Sequence, residues 1–205
     1  MSKRFQLLFA DMRHMGKYFI AAIAIFTAGV VLGVEGHDQY APFLENQLTV
    51  LKQIGSVVQD KANPQLWLFG MIFLNNLLAS LLTIVFGLIF AIRPIMLLLV
   101  NGMVIGYLGV EQAAEQSLGQ FIVGILPHGI IEIPAIFVAS AYGIRLGFVA
   151  LKGVASVFAA PWRSRVKAEF SHVMKLLLPL SIVLALSLFA AALIESTVTY
   201  WLVRH

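Results

Sequence analysis

A chain of 205 residues of which 60% are hydrophobic and only 12% charged carries about half the charge of an ordinary soluble domain. That composition excludes a water-soluble enzyme of familiar type. The absence of cysteine excludes disulfides, a thiol nucleophile and thiolate metal sites. The net charge of +4 does not point to nucleic acid, because the basic residues flank apolar stretches instead of forming the face of a soluble fold.

Residues 1–17 come first. Phe5, Leu8, Phe9 and Met12 recur at helical spacing among Lys3, Arg4, Arg13 and Lys17, the pattern of an amphipathic helix lying in a cytoplasmic membrane interface. About 20 apolar residues are needed to cross a bilayer. Five stretches meet or approach that length, at 18–34, 66–92, 94–110, 118–146 and 176–203. The first is longer than the apolar core of a signal peptide and lacks a small-residue cleavage site, so a retained helix is expected. The fold class is therefore all-α, a polytopic transmembrane bundle of about five spans forming a single unit over residues 18–203. Residues 35–65 form an external loop, in which Leu44, Leu48, Leu51, Ile54 and Val58 keep a helical period and Pro42 is placed to open a helix. Residues 147–175 read as a basic cytoplasmic link, broken at Pro161.

All fourteen Lys and Arg residues except Lys52, Lys61 and Arg204 fall on one side of this arrangement. The positive-inside rule then puts the N-terminus in the cytoplasm and the C-terminus outside. Five spans give that parity.

Within the spans, small residues recur every four positions: Ala135, Ala139, Gly143 and Gly147; Gly102 and Gly106; Gly29 and Gly33. Such stripes let helix backbones approach closely, either inside one chain or across a homo-oligomer. Polar groups in the spans carry more information, because an ionised group at mid-bilayer costs about 2.5–3.5 kcal/mol on insertion scales. The fourth span contains Pro127-His128-Gly129 followed by Glu132. Pro127 and Gly129 break the helix there, and a broken helix in lipid must be covered by protein or line a cavity. His128 and Glu132, four residues apart, share a face. Three roles are open to them: a structural pair, a proton- or ion-coupled site, or part of a metal site for zinc or another divalent ion, with Glu195 as third ligand. Glu195 lies on a small and polar face with Ser187, Ala191 and Thr199. Asn75, Asn76 and Asn101 are further candidates for a shared buried polar cluster. No Walker loop, dinucleotide fingerprint, nucleophile elbow or His-Glu-x-x-His motif is present, and no catalytic residue is assignable.

The run Phe73-Leu74-Asn75-Asn76, then Asn101-Gly102 with Gly106, then Pro127-His128-Gly129 with Glu132, then Gly143 and Gly147, resembles the stage II sporulation protein M (SpoIIM) family. A glutamate placed like Glu195 also fits. The resemblance spans roughly residues 18–203. It implies a membrane protein that, in the founding member, joins two peptidoglycan-degrading proteins in forespore engulfment and holds them at the membrane. The family also occurs in organisms that make no spores. Two function classes follow. One is a scaffold that anchors cell-wall hydrolases through residues 35–65 and 111–117. The other is a transporter, a lipid-handling protein or an intramembrane metal-dependent enzyme built on His128, Glu132 and Glu195.

Overall fold

A computed structural model of the chain describes residues 3–46, 49, 63–115, 129–157 and 160–204. The described residues are helical almost throughout, and among them five helices are long and apolar enough to cross a membrane. Helix α1 is Lys3–His14, α2 is Gly16–Glu35, α3 is Pro64–Phe86, α4 is Ile92–Glu115, α5 is Glu132–Ala155 and α6 is Ala160–Arg204. Residues 37–46 add a further helical segment after α2, with Pro42 inside it instead of at its start. Leu48, Leu51, Ile54 and Val58 lie outside the described residues.

Helix α1 folds because Leu8 and Met12 fall on one side and bury, Leu8 completely. Met15, 1% exposed, makes the corner into α2. Helix α3 begins at Pro64, whose missing N–H is one that a first turn leaves unused anyway. It ends in a tight turn where Phe90 (φ 50°) and Ala91 (φ 61°) adopt left-handed backbone. That conformation costs a side-chain-bearing residue about 1–2 kcal/mol, so something must hold the turn. Gly147 of α5 does this: a Cβ there would lie 2.5 Å from the Ala91 nitrogen and 2.6 Å from its Cβ.

Helix α5 is the most buried of the five and sits at the centre, touching α2, α3, α4 and α6. Its stripe Ala135, Ala139, Gly143 and Gly147 faces inward. A Cβ on Gly143 would lie 2.7 Å from the Thr83 carbonyl oxygen of α3 and 3.0 Å from Pro94 of α4. The closest helix pair is α2 with α4. A Cβ on Gly29 would collide with the Leu99 carbonyl, one on Gly33 with that of Met103, one on Gly102 with that of Phe26, and one on Gly106 with that of Val30. The residue numbers rise together, so the two helices run parallel, with two glycine pairs interleaved. Lipid provides no hydrophobic drive to join helices, and this backbone-to-backbone contact supplies dispersion in its place. Phe69 and Phe73 of α3 close on Phe189 of α6 edge-to-face at 5.1 and 5.7 Å.

The stretch 147–175 differs from the expected link. Helix α5 runs on to Ala155, and α6 begins at Ala160 and continues for 45 residues. Pro161 does not break it, because a proline in the first turn has no intrahelical hydrogen bond to lose. Arg163 joins the two helices by donating from Nε to the Ser156 carbonyl (3.0 Å) and from Nη2 to the Val157 carbonyl (2.9 Å). At about 1.5 Å per residue α6 is roughly 68 Å long, about twice the hydrocarbon thickness. Its first third, before Leu176, therefore stands beyond the apolar slab.

Candidate functional site

The sequence-derived site is only partly within view. Pro127 and His128 lie outside the described residues, and α5 begins at Glu132 after a turn at residues 130–131. Glu132 thus occupies the first helical position, where the partial positive charge of a helix N-terminus favours a carboxylate, and it is half-buried. Glu195 lies deep in α6, 8% exposed, between Ala191 and Ala192 and the almost fully buried Ser196. Ser187 on its face is half-buried. Helices α5 and α6 pack on one another.

The asparagines are arranged differently from the expected inward cluster. Asn101 donates to the Leu97 carbonyl of its own helix at 2.8 Å. Asn75 is exposed, and its amide nitrogen reaches Asn76 Oδ1 at 3.4 Å. The bundle-facing side of α3 is set by Phe73, Leu77, Ser80 and Ile84, a spacing of four, three and four residues. Asn76 borders that face, and Asn75 falls outside it. Among the described residues no three His, Asp or Glu side chains group closely enough to hold a metal.

The best-defined polar centre lies at the basic end, and the sequence reading missed it. Asp11 of α1 is 8% exposed. Its Oδ2 accepts hydrogen bonds from Arg145 Nη1 (2.7 Å) and from the hydroxyl of Tyr142 (2.9 Å), both on α5. Its Oδ1 pairs with His172 Nε2 of α6 at 2.8 Å. Tyr142 is fully buried and the Arg145 side chain is 12% exposed. Around them Glu169 lies 4.0 Å from Arg145 Nε and 3.0 Å from Lys152 Nζ. Burial alone would push the Asp11 carboxyl up. The hydrogen bonds from Arg145 and His172 outweigh it, and the carboxyl lies below the usual carboxylate range. Three helices thus meet on one carboxylate. The signal in the sequence is that Asp11 is the one acid before Glu35, and Arg145 the one Lys or Arg between Arg93 and Lys152. Two lone charges of opposite sign beside apolar helices are candidates for pairing.

A second polar centre closes the other end of the α2–α4 pair. His37 Nε2 meets Glu111 Oε1 at 2.8 Å, and Nδ1 meets Asp38 Oδ1 at 3.2 Å. The imidazole stacks on Tyr107 with centroids 4.7 Å apart and planes 14° from parallel. The Tyr107 hydroxyl donates to Glu45 at 3.4 Å. Asp38 and Glu111 hold the His37 pKa above its ordinary value.

The sequence pattern of the family described as Stage II sporulation protein M matches residues 19–200. No curated protein and no solved structure matches the chain.

Proposed function

The chain belongs to the SpoIIM family, and from that premise we propose that it is a membrane scaffold that anchors or localises peptidoglycan-remodelling partners, as in forespore engulfment. The match over residues 19–200, most of the chain, is the observation that carries this reading. The geometry supports it in one respect. The polar centres at Asp11 and His37 tie helices to one another and to the segment after α2, as a rigid platform requires. In this reading the N-terminus is cytoplasmic, the C-terminus external, and residues 35–65 with 111–117 present the partner surface. A homo-oligomer is compatible with it.

One observation favours a second reading. Glu195 is a carboxyl buried within an apolar span, and such groups mark transport paths and intramembrane sites. In that case Glu195 and Glu132 act with His128, with or without zinc or another divalent ion.

One experiment separates the two. The triple variant H128A/E132Q/E195Q is expressed in cells lacking the native protein, and membrane retention of cell-wall hydrolases is measured by cross-linking from residues 35–65. A folded triple variant is expected to retain the hydrolases as the native chain does. Stoichiometric metal in the purified native protein that is lost from the triple variant would establish the second reading. Hydrolase retention that is indifferent to the presence of the chain would end the first.

A further inference from the structure

We infer that the groove between α1 and the first part of α6 binds the phosphate headgroup of an anionic phospholipid, with an acyl chain lying along its leucines. The groove encloses about 520 Å³ and is lined by Arg4 and Leu7 of α1 and by His172, Lys175, Leu176 and Leu178 of α6. That volume matches a site for a headgroup and the start of a chain.

The lining is sorted by depth. His172 and Lys175 lie one turn apart on α6, just before the apolar run Leu176-Leu177-Leu178. They stand where the helix leaves the hydrocarbon, at the level of phosphate groups. Leu178, 59% exposed, lies a turn deeper, and Leu7 across the groove is 56% exposed. Basic side chains above and uncovered leucines below match a lipid with an anionic head and a hydrocarbon tail. A soluble anion would make no use of the leucines.

The charge balance points the same way. Asp11 is bonded to one groove residue, His172, and its other oxygen is taken by Arg145 and Tyr142. Lys152 is matched by Glu169. Among the described residues neither Arg4 nor Lys175 pairs with a carboxylate. Two uncompensated cations therefore face one cavity, and His172 is fixed beside them by Asp11.

Purified full-length protein in mild detergent is mixed with phosphatidylglycerol or phosphatidylcholine of the same chain length, and bound lipid is counted by native mass spectrometry. The native chain is expected to retain one phosphatidylglycerol preferentially. R4Q/K175Q should bind it about 30-fold more weakly, the change that two surface basic residues give, and R4K/K175R should restore binding. K17Q/R93Q, which removes two charges elsewhere at the same end, should bind normally. A photoactivatable phosphatidylglycerol should label Leu7 and Leu178 in the native protein, a readout that does not depend on any variant folding. Equal retention of the two lipids, equal loss in both glutamine double variants, or labelling confined to other helices would overturn the site. Displacement by millimolar inorganic phosphate would overturn the lipid assignment in favour of a free-phosphate site. No partner protein is present in the assay, so its failure would leave the scaffold reading untouched.

Discussion

Replacing Asp11 with alanine tests whether the basic end is held by one carboxylate. The substitution removes the acceptor for Arg145, Tyr142 and His172 together. His172 is 44% exposed and turns to water at little cost. Tyr142 is fully buried, and losing its hydrogen bond to the carboxylate costs about 1.5 kcal/mol. Arg145 dominates, because stripping one partner from a buried ion pair costs about 3–5 kcal/mol. Its guanidinium is 12% exposed and lies near the interface, where a long side chain can reach toward water. The lower bound, about 3 kcal/mol, is therefore the better figure for the pair, and with Tyr142 the expected total for Asp11→Ala is about 4–5 kcal/mol. Reversible unfolding in mixed micelles, followed by circular dichroism, measures it, and a cycle with Arg145→Met isolates the pair. The double variant should recover most of the loss, since it leaves no buried charge unmatched. The pH dependence follows from the lowered Asp11 pKa. Stability from this group is complete above the unfolded carboxylate value of about 3.9 and is lost as pH falls through the lower folded value. The gap between native protein and Asp11→Ala should therefore persist at pH 5 and close only in stronger acid. A cost below about 0.5 kcal/mol, the scale of an ordinary surface change, or strict additivity with Arg145→Met, would refute the reasoning.

Gly106→Ala puts a methyl group into the Val30 carbonyl and should destabilise by about 1–3 kcal/mol through overpacking. Gly70→Ala, where a Cβ meets nothing within 4 Å, should be neutral or stabilising by up to about 1 kcal/mol through helix propensity; thermal unfolding of the two variants compares them. The raised His37 pKa makes its clasp to Glu111 and Asp38 strongest below the free imidazole value of about 6.5 and progressively weaker as pH rises through the higher folded value. Protease cleavage within residues 37–46 should therefore increase on the alkaline side, and His37→Gln should remove that pH dependence.

The helices were legible because apolar length is a strong signal: five stretches were expected, and five helices long enough to span are found. Their ends were less so. The charged stretch 147–175 reads as a link by hydropathy, yet it is helical on either side of a corner at Ser156 and Val157, because Pro161 falls in a first turn and Arg163 ties the corner. The glycine stripes announced close packing, but the pairing of Gly29 and Gly33 with Gly102 and Gly106 required two helices distant in sequence to be placed side by side. Asn75 illustrates the opposite limit. One polar residue does not fix the phase of a helix, and on α3 the positions of Phe73, Leu77 and Ile84 set the rotation that leaves Asn75 outside. Asp11 was passed over because it sits in a short basic helix, outside the spans where polar residues draw attention.

The firm contacts are unevenly distributed. Helices α2 and α4 touch backbone to backbone, and α5 fills the centre. Polar centres lie at both ends, at Asp11 and at His37. Each of these contacts is made within the chain itself. By contrast, the outward sides of α3 and α6 carry Leu74, Leu78, Leu82 and Leu186, all at least 40% exposed, and these are sides that the chain itself leaves to lipid or to other proteins. In hydrocarbon such sides cost nothing to expose, since lipid is as apolar as leucine. Apolarity alone therefore cannot identify a docking face in this protein. Specific partners must be recognised where polar chemistry is available, beyond the slab: at the external segments in the scaffold reading, and at the α1–α6 groove for lipid. For that reason the decisive substitutions are of charged, histidine or glycine residues, and leucines serve only as reporters.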